Sequence, residues 1–167
     1  MLNKEKIASF NESYLATHKQ NLNFLGENLS KKNLDLNNVI NKLSDFQIAI
    51  PSWALGTGGT RFGRFPLGGE PNTLEEKIKD VGLLHALNRS SGAISLHIPW
   101  DIPEDYKKMK SLAHELDINF DAVNSNTFQD EPGGVHSYKL GSLSHIDKAV
   151  RKKAIQHNKE VIDHGIK

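Results

Sequence analysis

Apolar residues recur every three or four positions in the first part of the chain, the spacing that places side chains on one face of a helix. With His18 in the same stripe, they lie at Ile7, Phe10, Tyr14, Leu22, Leu25 and Leu29, followed by Leu36, Val39, Ile40 and Leu43. Asp35 precedes the second group as a candidate N-cap, and we expect Gly26 to weaken or break the first helix. The pattern predicts a helical extension over residues 1–45 that packs on a barrel or on a neighbouring subunit.

Beyond residue 45, short apolar runs alternate with helical patterns. The runs predict strands at residues 46–50, 93–98 and 118–123. Pro51 ends the first of these strands. Because a helical pattern follows each run, we expect βαβ units and therefore a parallel sheet with right-handed crossovers.

Cap residues mark the ends of the helices that follow the strands. Thr73 begins a capping box, with Glu three residues later. Pro103 stands at a first-turn position, which helices favour for proline. Ser144 and Asp147 are the cap residues predicted for the last helix, and Gly165 is its predicted terminator.

Polar and aromatic side chains follow the carboxyl ends of these strands, which is where a TIM (β/α)8 barrel carries its catalytic groups. The sequence thus predicts an α/β fold in which residues 46–167 form three parallel β/α units, preceded by the N-terminal helices. A chain of 167 residues is shorter than the roughly 250 residues of a complete barrel. We expect a partial barrel whose remaining strands lie outside this chain.

Composition narrows the class of protein. Hydrophobic residues make up 37% and charged residues 25% of the chain, as in soluble globular proteins. The 21 basic and 20 acidic residues nearly cancel, so neither nucleic acid nor a membrane surface is an expected partner. The absence of cysteine excludes disulfides and thiolate metal sites. With no signal peptide pattern and no run of about 18 apolar residues, we expect a cytoplasmic protein.

The second strand contains the sharpest candidate for chemistry. Its apolar residues alternate with Ser95 and His97, because strand side chains have a period of two. We expect the apolar face to pack on helices and His97 to be the last side chain that faces the barrel interior. A neutral His can bind a hydroxyl or pass a proton near neutral pH. The alternative is a structural His bonded to the backbone.

Two Trp residues follow the ends of strands one and two. An indole such as Trp53 offers a flat apolar wall and one N–H donor, which suits the carbon face of a sugar. Its alternative role is to pack under the loop. Since neighbouring strands are about 4.8 Å apart, Trp53 and His97 are predicted to line one pocket, with Trp100 and Asp101 on the adjoining loop.

The glycine-rich loop over residues 56–69 matches neither the dinucleotide fingerprint nor the P-loop. We interpret it as a lid or an intersubunit loop with Phe62 and Phe65 at its tips. Arg61 and Arg64 either hold carboxylates or face solvent.

At the third strand end, the segment 124–126 (Asn-Ser-Asn) either binds substrate hydroxyls or makes turn and cap hydrogen bonds. His136 and His145 lack metal-ligand spacing, and no acidic or His cluster predicts a metal site in this chain. His157 and His164 are predicted to lie on a helix surface.

Four segments together resemble the L-rhamnose isomerases. They are PSWALGTGGTRF (51–62), SLHIPWD (95–101), NSNTF (124–128) and HSYKLGSLSH (136–145). The resemblance extends from the N-terminal helices to the last residue and is strongest to the broad-specificity bacterial branch, which also isomerises rare aldoses. It identifies the chain as the N-terminal portion of such an enzyme.

The resemblance implies a TIM barrel, a homotetramer, and a divalent metal, commonly Mn²⁺, that assists interconversion of an aldose and its ketose. It implies that His97 contacts the sugar near its ring oxygen and assists ring opening. Trp53 and Trp100 would form pocket walls, and Phe62 would reach into the site of a neighbouring subunit. The family's metal ligands lie on later strands, which this chain does not contain.

Two functions therefore stay open. The first is an L-rhamnose isomerase-like enzyme that acts on L-rhamnose or rare aldoses, with this chain as its N-terminal part. The alternative is a catalytically inactive truncated product, or a sugar-binding or assembly subunit that needs a C-terminal complementing chain. An adjacent reading frame that encodes the remaining strands would favour the first.

Overall fold

A computed structural model describes residues 3–56, 59–60, 63–64, 68–130 and 133–167. Within these ranges the helices are α1 (Lys4–Glu12), α2 (Leu15–Ser30), α3 (Leu36–Ser44), α4 (Leu74–Asn88), α5 (Tyr106–Glu115) and α6 (Lys148–Ile166). The strands are β1 (Ala49–Pro51), β2 (Gly59–Thr60), β3 (Gly63–Arg64), β4 (Ala93–Ile98) and β5 (Asn119–Ser125). A short 3₁₀ turn, Ser52–Ala54, follows β1.

The strands β1, β4 and β5 form a parallel sheet in which β4 lies in the middle. The short strands β2 and β3 pair separately and antiparallel, inside the glycine-rich loop. The predicted α/β class and the parallel sheet are confirmed. The closure of this sheet into a TIM barrel and the division of the chain at residue 45 stay predictions.

The core lies between β4 and the helices α4 and α5. Ile78, Val81 and Ile94 are 0% exposed, and Met109, Ala113 and Ile118 pack in the same cluster. The apolar face of β4 therefore meets the helices, as its alternation predicts. His97 and Ser95 lie on the opposite face because strand side chains alternate.

The pairing of β4 with β5 contains a register shift. Ile94 is the partner of Phe120, whereas Leu96, two residues further, is the partner of Val123, three residues further. One extra residue is therefore accommodated in β5, as in a β-bulge. After the shift, His97 is opposite Asn124 and Ile98 is opposite Ser125.

The N-terminal segment differs from its prediction. The helical pattern is interrupted between α1 and α2, at Ser13 and Tyr14, whereas α2 continues through Gly26. A Cβ at Gly26 would lie 3.1 Å from the Cδ2 of Leu36. Glycine is thus accommodated in α2 because α3 passes close to it.

Several predicted boundaries were wrong. The first strand begins at Ala49, after exposed Phe46 and Ile48. The third strand extends to Ser125, where the register shift prolongs the pairing. Pro103 precedes α5, which is capped by the Asp105 side chain instead.

The ends of α6 agree with the predicted cap residues only in part. Asp147 caps α6 by accepting from the Ala149 N–H, whereas Ser144 lies outside the cap. Gly165 does not terminate α6. It lies inside the helix, where a Cβ would stand 3.3 Å from the Cγ2 of Val123, so it allows α6 to approach β5. Among the described residues, no helix combines the length and the apolar character needed to cross a membrane.

Candidate active site

Aromatic side chains from three loops meet His97 at the carboxyl end of the sheet. Trp53 belongs to the 3₁₀ turn after β1, and Trp100 follows β4. Phe128 follows β5. Because the three strands are parallel, their carboxyl ends bring these loops to the same edge of the sheet.

The rings enclose the imidazole on several sides. Trp100 stacks on His97 with ring centroids 4.5 Å apart and an interplanar angle of 28°. Trp53 and Phe128 contact His97 edge-on, at centroid distances of 5.3 Å and 5.7 Å. The structure thus brings together three residues that the sequence singled out, Trp53, His97 and Trp100.

His97 is 5% exposed, and its Nε2 is buried with no hydrogen-bond partner among the described residues. Burial lowers the pKa of His97, because it penalises the charged imidazolium. The Asp101 carboxylate opposes this effect, while His157 and Lys77 lower the pKa further. The imidazole is therefore neutral near pH 7. Its Nε2 lies within the aromatic enclosure and has no hydrogen-bond partner among the described residues.

A carboxylate anchors the backbone of His97. One oxygen of Asp101, Oδ2, accepts the His97 N–H at 2.7 Å and a hydrogen bond from the Ser52 hydroxyl. The other, Oδ1, accepts from Lys77 Nζ at 2.7 Å. Asp101 is 1% and Lys77 5% exposed. A buried ion pair therefore lies directly beneath the aromatic enclosure.

The polar segment at the end of β5 is largely engaged in structure. Asn124, which lies opposite His97, donates from Nδ2 to the Leu96 carbonyl at 3.4 Å. The Asn126 N–H donates to His157 Nε2 at 3.0 Å. Asn126 Oδ1, in contrast, is buried without a hydrogen-bond partner in the described part of the chain.

The prediction that His157 and His164 lie on a helix surface was wrong. Both are half-buried: His157 accepts from the backbone of β5's exit loop, and His164 bonds the Tyr106 hydroxyl. Their helix, α6, packs on β5, which brings His157 to the loop after β5 and His164 to Tyr106 of α5. Helical spacing alone places them outside because it contains no information about the sheet that α6 meets.

The prediction for the tip of the glycine-rich loop falls on residues outside the described ranges. They are Phe62, which was predicted to reach into a neighbouring subunit, and Arg61 and Phe65.

Sequence reasoning missed Phe128 as part of the enclosure, although it ends the third strand-exit motif. Its position after a strand, like that of Trp53 and Trp100, was the available signal.

The described residues contain no group of three or more His, Cys, Asp or Glu side chains that could hold a metal ion. Four of the acidic side chains that the structure describes have clear structural roles. Asp35, Asp105 and Asp147 cap helices, and Asp101 is paired with Lys77.

Comparison with known proteins gives two close relatives, and no family model matches the chain. A protein of Rhizobium meliloti (strain 1021) named "Probable sugar isomerase" is 48% identical over 141 residues. A protein of the same name from Mesorhizobium japonicum is 45% identical over 141 residues. This chain is a homologue of these named sugar isomerases. The alignments cover 84% of the chain and 33% of each relative, so the chain spans about a third of the length of the curated relatives it matches.

Proposed function

We propose that this chain supplies the His97 side of the active site of a sugar isomerase of the L-rhamnose isomerase type, which interconverts an aldose and its ketose. The observation that carries the proposal is the buried imidazole with an unpartnered Nε2 inside an aromatic enclosure. The homology to named sugar isomerases supports the same reading. L-Rhamnose and rare aldoses are the proposed substrates.

The chemistry proposed for His97 is ring opening. A closed sugar must break the bond between C1 and its ring oxygen, while a proton arrives at that oxygen and another leaves the C1 hydroxyl. A neutral imidazole can donate or accept at Nε2, according to its tautomer, and His97 is neutral near pH 7 because burial lowers its pKa. Nε2 is therefore the proposed contact for the ring oxygen.

Trp53 and Trp100 are the proposed pocket walls, and we add Phe128 to them. Aromatic faces bury the carbon side of a sugar, and Trp adds one N–H donor for a hydroxyl. Their edge-on and stacked contacts also restrict the rotation of the His97 ring. The walls would thus hold the acid–base group and exclude water from it.

The resemblance also implies a divalent metal, Mn²⁺ or another, but the described residues do not fit a site for it. We therefore propose that its ligands lie outside the part of the protein described here, and that this chain acts with the polypeptide that supplies them. The assembled enzyme is proposed to be a cytoplasmic homotetramer, as the resemblance implies.

The test is an isomerase assay of the 167-residue chain, alone and mixed with the remaining part of the Rhizobium meliloti relative, with Mn²⁺ present. We expect ketose formation only in the mixture. In that mixture, His97→Ala should lower turnover about 10²–10⁴-fold, the range for a positioned acid–base group. His114→Ala is the matched control, since His114 is exposed on α5.

Other outcomes would change the assignment. Turnover by the chain alone would place the working site within it. No turnover in a mixture that binds L-rhamnose would favour the sugar-binding or assembly subunit. Equal loss in the His97 and His114 variants would remove His97 from the chemistry.

A further inference from the structure

We propose that Asp101, held in place by Lys77 and Ser52, is a positioning residue for His97. It fixes the backbone that presents the imidazole and the turn that presents Trp100. The proposal rests on the function proposed above for His97.

The first observation is where β1 ends. Pro51 pairs with Ser95, so β4 extends past the last residue of β1 and His97 lies beyond that pairing. The Asp101 carboxylate accepts the His97 N–H at 2.7 Å. In return the Asp101 N–H donates to the His97 carbonyl at 3.0 Å. These two hydrogen bonds close the turn from residue 97 to residue 101 around its own carboxylate.

The second observation is that the carboxylate connects separate elements. Oδ2 also accepts from the Ser52 hydroxyl, the residue immediately before Trp53. Oδ1 accepts from Lys77, which belongs to α4. One side chain thereby links the loop that bears Trp53, the turn that bears Trp100 and the helix packed beneath them. The two segments that bear Trp53 and Trp100 are therefore joined to the same carboxylate.

The third observation is that the ion pair between Lys77 and Asp101 is buried, which carries a desolvation free energy. Asp101 and Ser52 are 1% and 0% exposed, and Lys77 is 5% exposed. A buried ion pair gains little stability relative to apolar side chains of similar volume, because its desolvation offsets its Coulomb attraction. Stability alone is therefore a poor reason for this pair at this place. Its hydrogen-bond geometry, directed at the His97 backbone, supplies the better one.

The test uses the fluorescence of the full 167-residue chain. Its two Trp residues, Trp53 and Trp100, both contact the His97 ring, and a protonated imidazole in contact with an indole quenches its emission. In the parent we expect a pH-dependent step in emission whose midpoint lies below 6.5, the ordinary value for His. His97→Gln should abolish the step and so assign it.

The decisive variant is Lys77→Met/Asp101→Ala, which removes both charges and the oxygens that accept from the His97 N–H and from Ser52. Asp101→Ala alone leaves a buried cation without its carboxylate and can unfold the chain. Circular dichroism establishes that the double variant is folded. We expect the amplitude of the step to fall at least about twofold, since a released ring leaves the indoles. Ser52→Ala should give a smaller change of the same kind.

A matched control removes an ion pair elsewhere. Glu75 accepts from Lys108 at 2.6 Å and from Lys79 at 2.7 Å on the exposed side of α4. Glu75→Gln should leave the step unchanged. A folded double variant whose step keeps the amplitude of the parent would overturn the proposal. Because this readout needs no turnover, it stands apart from the isomerase assay, whose failure would refute only the proposed function.

Discussion

The layer around β4 and the N-terminal helices differ in how much apolar surface they cover. Ile78 and Ile94 are 0% exposed between sheet and helices, whereas Phe10 and Phe24 are each 67% exposed. Neither α2 nor α3 contains a buried residue. Isolated helices of about 12–15 residues or fewer are marginal in water. The comparison therefore indicates one region with a core of its own and another held mainly by local hydrogen bonds.

The largest expected difference between the two regions is in the effect of shortening one apolar side chain in each. Ile94→Ala should lower the free energy of unfolding by about 2–5 kcal/mol, because it leaves a cavity in the core. Leu43→Ala, at a side chain that is 69% exposed, should change it by no more than about 0.5 kcal/mol. Urea unfolding monitored by Trp fluorescence measures both. Equal losses would mean that the two regions share one core.

Two glycines offer a second pair. In α4, a Cβ at Gly82 would lie 2.8 Å from Leu116 Cδ1 and 3.0 Å from its Cβ. Gly82→Ala should cost about 1–3 kcal/mol, as overpacking does. Gly26→Ala meets only the flexible end of Leu36 and should gain up to about 1 kcal/mol of helix propensity. Thermal unfolding followed by circular dichroism gives the sign of the stability change for each substitution. If Gly26→Ala also destabilised the chain, α2 would be tightly packed against α3.

A third pair compares helix caps. The Thr73 hydroxyl and the Glu76 carboxylate form a complete capping box at α4, and the Asp35 side chain caps α3. Thr73→Ala should cost about 1 kcal/mol of global stability. Asp35→Ala should instead speed amide hydrogen exchange in α3 while the urea midpoint, as reported by Trp fluorescence, is unchanged. A shifted midpoint for Asp35→Ala would contradict the separation of the two regions.

The smallest expected effect is the pH dependence that His97 gives to the β4 layer. Burial lowers the pKa of folded His97 below 6.5, so the unfolded chain binds the proton more readily. The contribution of His97 to stability is then complete above pH 6.5 and declines as pH falls toward the folded pKa. Urea midpoints at pH 7.5 and 5.5 should differ less in His97→Gln than in the parent. An unchanged difference would mean that His97 is already solvated.

The sequence predicted the parts of the fold that depend on local pattern. The bounds of β4 were correct because its alternation is complete, and the Thr73 capping box is present as predicted. Trp53, His97 and Trp100 meet because parallel strands end at one edge. The first strand was placed too early because Phe46 and Ile48 are apolar yet exposed.

What local pattern could not supply is contact between distant positions. Asp101 lies 24 residues from Lys77 and 49 from Ser52, so no periodicity links them. The insertion of Gly165 against Val123 likewise depends on where α6 crosses β5. These contacts follow from the assembled layers, whose arrangement a helix or strand pattern does not specify.

The extra residue in β5 decides which side chain lies opposite His97. If the regular pairing of Ile94 with Phe120 continued along the same sequence without the register shift, His97 would lie opposite Val123, and Ile98 would lie opposite Asn124. An isopropyl group would then replace the amide across from the imidazole, although no residue had been substituted. Deletion of Asp121 or Ala122 would instead remove the extra residue and keep Asn124 opposite His97, because the residues beyond the deletion would retain their present partners. The polarity of this edge of the sheet is therefore encoded in the spacing along β5 as well as in the identity of its residues.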